Sequence, residues 1–167
     1  MRVTCATLSN GRYHVILRRG DYMTIYGHPC KIVDIDNCLM KRPIYHYTGI
    51  DIFTGDKYED LYPPWMRIDV PLITHLNCKL LKIDTDNYTA LICENGDVYD
   101  HIKLPDGHIG NEIKKYFEDD SDIKIILTHA TMNTDDDEMR SETFGITSYK
   151  VEEKGYDFQV TVGAYYS

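Results

Sequence analysis

The sequence lacks any long apolar run. None of its stretches reaches the roughly 18 consecutive apolar residues that a membrane-spanning helix requires. The first residues, MRVTCATLSNGRYHVILRR, contain no apolar block before a small-residue cleavage site, and the final residues, GAYYS, contain no lipidation or retention motif. We therefore expect a cytoplasmic protein with no membrane partner.

The sequence also lacks the spacings that mark metal or catalytic sites. The five cysteines include no C-x-x-C pair, and the seven histidines show no H-x-x-x-H spacing. We expect reduced, packed thiols, with a zinc site or a disulfide framework as the alternative. His28-Pro29-Cys30 predicts a turn that leads into a strand rather than a nucleophile and its base. The pattern predicts a binding protein without a cofactor, not an enzyme.

Positive charge is scarce, and it is unevenly distributed. The net charge is −9. Residues 1–80 contain ten Lys/Arg and eight Asp/Glu, a net of +2, whereas residues 81–167 contain eight and nineteen, a net of −11. An acidic second half would repel phosphate, which excludes wrapping of the whole protein around nucleic acid but leaves a local contact through the first half.

The first half predicts a small β-barrel, because short β-prone segments alternate with turns. The diproline Pro63-Pro64 ends this pattern, and Asp69-Val-Pro71 predicts a rigid connector. We place the domain boundary after residue 72. The predicted strands are Tyr13–Arg18, Tyr22–Tyr26, Cys30–Ile35, Ile44–Thr48, Gly49–Gly55 and Lys57–Leu61.

The second half predicts three strands, a helix and a further strand, which is the element order of a five-stranded Greek-key barrel of the OB type with one of its strands less clearly marked in the sequence. The strands are 78–83, 88–93, 98–103 and 123–127, and the helix spans 106–117 with apolar residues at i, i+4, i+7 and i+8. Residues 131–167 predict an acidic extension. Within it, Asp135–Glu138 predicts a solvated loop, and Tyr156–Val162 alternates like a strand that adds to a barrel edge or forms a loose tail.

Four motifs, in order along the chain, resemble the family of eukaryotic translation initiation factor 5A, the hypusine-containing factor. The resemblance covers roughly residues 12–130. The motifs are Gly27–Val33, Gly49–Gly55 followed by Lys57-Tyr-Glu-Asp60, Asp69-Val-Pro71 and Leu104–Ile113.

The resemblance implies an all-β fold with one short helix: an SH3-like barrel over residues 1–72, an OB-fold barrel over 73–130 and the extension over 131–167. It also implies a ribosome-bound elongation factor that lies beside peptidyl-tRNA. In the family, a lysine extended by spermidine-derived chemistry steadies the tRNA acceptor end and relieves stalls.

The loop Asp36–Pro43, DNCLMKRP, departs from the family pattern. The family places the modified lysine in a Thr-Gly-Lys-His-Gly pattern, whereas this chain has no glycine between Gly27 and Gly49. Lys41 is the only lysine of the loop. Pro43 fixes its own φ and restricts the residue before it, so the loop is stiffer. We predict that Lys41 does not carry hypusine.

The candidate RNA- and ribosome-binding residues therefore lie in and beside this loop. Lys41 and Arg42 predict an unmodified phosphate-contacting tip, with an ordinary solvated turn as the alternative. Met40 is a candidate apolar wedge, or it folds back onto its own barrel. Tyr45 and His46 lie on the following strand, where they stack on bases or pack on the barrel.

These observations predict a translation factor-like protein that binds the ribosome and tRNA or rRNA and assists elongation or termination. One alternative is a self-assembling structural protein related to fungal Woronin-body proteins, with self-association through its C-terminal strand. Against it, the chain ends in Tyr-Tyr-Ser rather than in a peroxisomal tripeptide. A third alternative is a relic or decoy of the translation factor.

Overall fold

The computed structural model describes residues 4–7, 14–39, 43–63, 66–133, 140–153 and 156–163. Within these ranges the chain forms twelve strands and one helix, so the expected mainly β fold with a single short helix is confirmed. The elements are β1 (Thr4–Thr7), β2 (His14–Leu17), β3 (Tyr22–Ile25), β4 (His28–Leu39), β5 (Pro43–Asp51), β6 (Lys57–Tyr62), β7 (Leu72–Ile83), β8 (Tyr88–Cys93), β9 (Val98–Lys103), α1 (His108–Glu118), β10 (Ile123–Asn133), β11 (Arg140–Glu153) and β12 (Tyr156–Thr161).

The chain divides into two compact units. The first consists mainly of Met1–Leu72, with which Ala130–Glu142 is grouped, and the second of Ile73–His129 and Thr143–Ala164. The strands form a two-stranded sheet, β1-β2, a four-stranded sheet in the order β3-β4-β5-β6, and a six-stranded sheet in the order β12-β11-β10-β7-β8-β9.

The four-stranded sheet of the first unit is an antiparallel meander with one apolar face. Alternation in β3 buries Met23 and Ile25 completely, as the two-residue period of a strand requires. The core of this unit comprises Leu17, Met23, Ile25, Cys30, Ile32, Tyr47, Tyr62 and Ile68.

Gly49 lies inside β5, although the sequence predicted that one strand ends and another begins there. A Cβ at position 49 would lie 2.7 Å from the Cβ of Cys30 and 3.0 Å from Cδ1 of Ile25. Glycine is therefore required by the close approach of β4 and β5, not by a turn. The strand continues to Asp51.

Tyr47 is fully buried, and its hydroxyl finds no hydrogen-bond partner among the described residues. We expect Tyr47→Phe to leave the free energy of unfolding unchanged or to raise it by up to about 1 kcal/mol, because it removes a desolvated, unpaired hydroxyl. Urea denaturation measures this.

The matched control for that substitution is Tyr62→Phe. The Tyr62 ring packs edge-on against Tyr47 at 5.6 Å between centroids, but its hydroxyl, unlike that of Tyr47, lies near the Asp60 carboxylate. We expect Tyr62→Phe to lower the free energy of unfolding by about 1 kcal/mol. Equal losses in the two variants would contradict the assignment of an unpaired hydroxyl at Tyr47.

In the second unit, α1 and the six-stranded sheet enclose a separate core. The helix begins at His108 and ends at Glu118, within two residues of the predicted bounds, and buries Gly110 and Ile113. The core comprises Cys78, Leu80, Leu91, Cys93, Leu104, Ile113, Ile123, Ile125, Leu127, Ile146, Tyr149 and Val151.

Strands occupy much of the region from residue 131 onward. β10 continues to Asn133, β11 spans Arg140–Glu153, and β12 pairs antiparallel with the second half of β11. Phe158 of β12 lies 6.3 Å from Tyr116 of α1 between ring centroids, and Val160 packs against the core. The acidic run 135–138 lies outside the described residues.

Cys78 and Cys93 form a disulfide, so the expectation of reduced thiols is wrong for this pair. The register of the β7–β8 hairpin places the two residues directly opposite each other. Their side chains share the apolar face with Leu80 and Leu91, and all four are buried. Cys30, in contrast, is a free and buried thiol.

Candidate nucleic-acid interface

The β4–β5 hairpin carries the candidate interface. The sequence predicted that β4 ends at Ile35, but the strand continues to Leu39, and pairing with β5 extends as far as Leu39 opposite Pro43. Only residues 40–42 separate the two strands. Met40, Lys41 and Arg42 lie outside the described residues, and their roles stay predictions.

Tyr45 lies on the side of β5 that faces the barrel. It pairs in register with Asn37 on β4 and Tyr62 on β6, and its partly buried ring packs against the core of the first unit. The two-residue period places Tyr45 and Tyr47 on one face and His46 on the other. The Tyr45 ring therefore contributes to barrel packing.

His46 belongs to a charged cluster on the opposite face. Its Nε2 lies 3.6 Å from Oε2 of Glu59 on β6, and Nζ of Lys57 lies 2.7 Å from Oε1 of the same carboxylate. The hydrogen bond from Lys57 lowers the pKa of Glu59 below its usual range. The cluster balances positive and negative charge, so it adds little positive potential beside the loop.

Asp51 anchors the turn after β5 and is buried. One carboxylate oxygen accepts hydrogen bonds from the backbone N–H groups of Phe53 at 2.7 Å and Thr54 at 3.1 Å. The other lies 2.9 Å from Nδ1 of His28, whose ring stacks on Tyr58 at 4.3 Å between centroids. These contacts tie the start of β4 to the end of β5, at the opposite end of the hairpin from residues 40–42.

The thiol beside this anchor is not a nucleophile. Burial, reinforced by the nearby Asp51 carboxylate, raises the pKa of Cys30 to about 12. Since only the thiolate attacks, Cys30 is inert at neutral pH. The prediction that His28-Pro29-Cys30 is a turn leading into a strand is wrong about the position of the turn. Tyr26 and Gly27 form the turn, and all three residues already lie in β4, which begins at His28.

Two described cations of the first unit are paired with acids. The guanidinium of Arg19 forms an ion pair with the carboxylate of Asp34 on β4, and Lys57 is paired with Glu59. At the tip of the candidate interface the sequence places two adjacent cations, Lys41 and Arg42, while Lys31 is an exposed cation of β4 near the base of the hairpin.

The described ranges contain no group of three or more His, Cys, Asp or Glu side chains that could hold a metal ion. Within the same ranges, no helix combines the length and apolar character needed to cross a bilayer.

Sequence reasoning missed the anchor at Asp51, although a local pattern points to it. Asp51 precedes Ile-Phe-Thr-Gly, and an aspartate at the start of such a turn commonly accepts hydrogen bonds from the backbone two and three residues later. The ion pair of Arg19 with Asp34, 15 residues apart, left no comparable pattern in the sequence.

Comparison with known proteins gives consistent matches over both units. A family model described as translation initiation factor 5A-like, N-terminal, matches residues 12–65. A second, described as eukaryotic elongation factor 5A hypusine, DNA-binding OB fold, matches residues 72–135.

Curated relatives match over most of both chains. Eukaryotic translation initiation factor 5A-2 of Schizosaccharomyces pombe is 37% identical over 117 residues, which cover 68% of this chain and 69% of that protein. Eukaryotic translation initiation factor 5A-1 of Saccharomyces cerevisiae is 33% identical over 117 residues, which cover 68% of this chain and 74% of that protein.

Among solved structures, the translation initiation factor eIF-5A family protein from Naegleria fowleri superimposes with a TM-score of 0.58 at 26% sequence identity, covering 80% of this chain and 92% of that one. The predicted fold, an SH3-like barrel followed by an OB-fold barrel, is confirmed.

Proposed function

The chain belongs to the eukaryotic translation initiation factor 5A family, which acts in translation, and from this premise we propose that it binds the ribosome and its tRNA or rRNA through the β4–β5 hairpin. The proposal includes a cytoplasmic location, an SH3-like domain over residues 1–72, an OB domain over 73–130 and an extension over 131–167. The observation that carries it is the paired hairpin, which ends in the adjacent cations Lys41 and Arg42.

The hairpin suits this role because it is long and anchored at its base. Cross-strand pairing runs from Cys30 opposite Asp51 to Leu39 opposite Pro43, with a bulge between Ile32 and Asp34. An anchored hairpin can hold two cations in a narrow phosphate-lined channel, where screening by solvent is weak.

We propose that the factor works without hypusine. The family pattern supplies glycines on both sides of the modified lysine, whereas here Pro43 opens β5 directly after Arg42. Proline removes a backbone donor and fixes φ, which leaves a modifying enzyme a stiffer segment to bind. The intact mass of protein purified from its own host tests this, because an aminobutyl extension on Lys41 would add a measurable mass.

The double variant Lys41→Glu/Arg42→Glu tests the interface. We expect ribosome affinity to fall by about tenfold or more, and the slope of log affinity against log salt to shrink by about 2, because two phosphate contacts are lost. Co-sedimentation with ribosomes across a salt series measures both quantities.

The matched control reverses two exposed cations of the same unit away from the hairpin tip, Lys31→Glu/Arg67→Glu. It changes the net charge equally, so we expect a smaller, uniform weakening without the loss of slope. Binding by Lys41→Glu/Arg42→Glu that matches this control would rule out a phosphate-contacting tip.

Self-assembly is the second candidate function, and one observation favours it. β12 is an edge strand of the six-stranded sheet, and Phe158 on it is exposed. Unpaired strand edges can add a strand from another chain. Sedimentation equilibrium distinguishes the two functions: a concentration-dependent polymer supports assembly, and a monomer that associates with ribosomes supports the hairpin interface.

A further inference from the structure

A cavity of about 280 Å³ adjoins the disulfide of the second unit. It is lined by three segments, residues 77–79, 92–94 and 122–124, which include both cysteines. We propose that this cavity admits a small charged peptide thiol of the glutathione type, and that the Cys78–Cys93 disulfide exchanges with it reversibly. The inference concerns the OB unit and does not depend on the hairpin interface.

The disulfide joins residues that the sheet already holds together. Cys78 is directly opposite Cys93, and the next pairs in the ladder are Lys79 with Ile92 and Leu80 with Leu91. On the other side, the backbone N–H of Glu94 donates to the carbonyl of Asn77 at 2.9 Å. Because backbone pairing flanks the sulfur atoms on both sides, the bond can open without a change of register.

The rim of the cavity has the charges that such a thiol requires. Lys79 and Lys124 are exposed cations, and Glu94 and Asp122 are exposed acids. A peptide thiol carries carboxylates and an ammonium group, so both signs of charge find a counterpart.

The exchange balances as two thiol–disulfide steps. In the first, the thiolate of the small thiol attacks one Sγ, the Sγ–Sγ bond breaks, and the displaced cysteine leaves as a thiolate that takes a proton from solvent. In the second, another small thiolate attacks the mixed disulfide, forms the small-molecule disulfide and releases the remaining cysteine. Two small thiols are oxidised, and the protein disulfide is reduced by two electrons.

The reduced state has a place for a thiol proton. Sγ of Cys78 lies 3.7 Å from the carbonyl oxygen of Leu76, which can accept a weak S–H hydrogen bond. Both cysteines remain on the apolar face of the hairpin, where a thiol behaves as a small apolar side chain.

The experiment equilibrates the full chain, without denaturant, in mixtures of reduced and oxidised glutathione. The thiols are then quenched with acid and alkylated, and the peptides that contain Cys78 and Cys93 are analysed by mass spectrometry. We expect the pair to convert from disulfide to dithiol as the reduced fraction rises, with a glutathione adduct at intermediate mixtures. The far-UV circular dichroism should stay unchanged.

A charge reversal at the rim tests the cavity itself. We expect Lys79→Glu to slow reduction by glutathione by about tenfold, and to alter reduction by uncharged 2-mercaptoethanol by less than about twofold. The matched control is Lys82→Glu, an exposed lysine of the same strand that does not line the cavity. It should leave both rates within about twofold of the unsubstituted protein.

Three results would overturn the proposal. The first is resistance of the disulfide to every thiol until urea is added, which would make it a closed structural bond. The second is the persistence of two free thiols in oxidised glutathione. The third is equal slowing of the reaction with glutathione by Lys79→Glu and Lys82→Glu. Ribosome co-sedimentation is a separate measurement on the other unit. A negative result for disulfide exchange therefore does not affect the test of the hairpin proposal.

Discussion

Replacing Gly110 with alanine is expected to lower the free energy of unfolding of the second unit by about 3 kcal/mol, at the upper end of the cost of overpacking a core. A Cβ at this position would lie 2.0 Å from the carbonyl oxygen of Pro105 and 3.2 Å from its carbonyl carbon. Both atoms belong to the backbone, which cannot swing aside as a flexible side chain would. The first turn of α1 or the Leu104–Pro105 segment must therefore move by about 1 Å or more.

The stability lost through this steric clash should exceed the stability that alanine normally adds to a helix in place of glycine. Alanine is favoured over glycine in helix interiors by about 1 kcal/mol, so a net loss at position 110 isolates the steric term. Leu104 and Ile113, on either side of the contact, are buried in the core, which leaves little room for movement. The glycine therefore sets how closely α1 approaches the preceding segment.

The matched control is Asn111→Ala, which changes the next and exposed position of the same helix. It should alter stability by less than about 0.5 kcal/mol. Urea denaturation followed by circular dichroism measures both variants, and hydrogen exchange in the 104–118 peptide locates the change. Equal stability of the two variants would mean that the backbone segments do not approach as described.

The structure shows why some elements were predictable from the sequence. β8 and β9 have the predicted bounds, because turn residues at Asp86-Asn87 and Glu94–Asp97 flank short β-prone runs. The helix was predicted within two residues because its apolar positions follow a single face. In these segments, local propensity and tertiary packing agree.

β11 was not predicted, because its alternation changes phase. Ile146, Thr147, Ser148 and Tyr149 are all buried in succession, so the two-residue period breaks in the middle of the strand. Two of these residues are polar and satisfied by partners across the sheet: the hydroxyls of Thr147 and Thr128 lie 2.6 Å apart, and the side chains of Ser148 and Gln159 lie 3.2 Å apart. Burial on both faces depends on neighbouring strands that sequence periodicity does not reveal.

The disulfide was within reach of sequence reasoning. The predicted strands 78–83 and 88–93 form a hairpin whose outer ends are both cysteines. A symmetric register places those ends opposite each other, and the structure has this pair even though a bulge between Leu80 and Lys82 shifts the register nearer the turn. The number and motif spacing of the cysteines do not reveal this pair, because the two residues become neighbours only through the cross-strand register of the hairpin.

The candidate interface was predictable in position but not in its surroundings. The cations Lys41 and Arg42 are visible in the sequence, whereas the neutralisation of nearby charges depends on cross-strand pairing. His46 of β5 is paired with Leu61 of β6 in the register, and its ring lies close to Glu59, two residues earlier on β6. Such pairs form between β5 and β6 only after the register is set, so composition alone overstates the positive charge of this unit.

Replacing Asp51 with alanine is expected to lower the free energy of unfolding of the first unit by about 3 kcal/mol, because a charged acceptor of three hydrogen bonds is removed. The N–H groups of Phe53 and Thr54 would lose their acceptor within a part-buried turn. Asp51→Asn retains one oxygen acceptor, so we expect a smaller loss of about 1–2 kcal/mol. Urea denaturation of both variants measures the two losses in the free energy of unfolding and shows which is larger.

The control for this turn is Asp56→Ala. Asp56 is exposed, and its turn contacts are made by its backbone: its N–H donates to Thr54 Oγ1, and its carbonyl accepts from the N–H of Asp51 at 2.8 Å. Alanine preserves these bonds, so stability should change by less than about 0.5 kcal/mol. Equal losses for Asp51→Ala and Asp56→Ala would show that the local charge, not the buried acceptor, holds the turn.

The same substitution connects the anchor to the proposed function. Asp51 lies at the far end of the hairpin from Lys41 and Arg42, so it contacts no ligand of those cations and acts only by holding β4 and β5 together. We therefore expect Asp51→Asn, at a temperature where it remains folded, to weaken ribosome binding while the salt slope stays that of the unsubstituted protein. A reduced slope would instead place Asp51 among the groups that determine the charge at the interface.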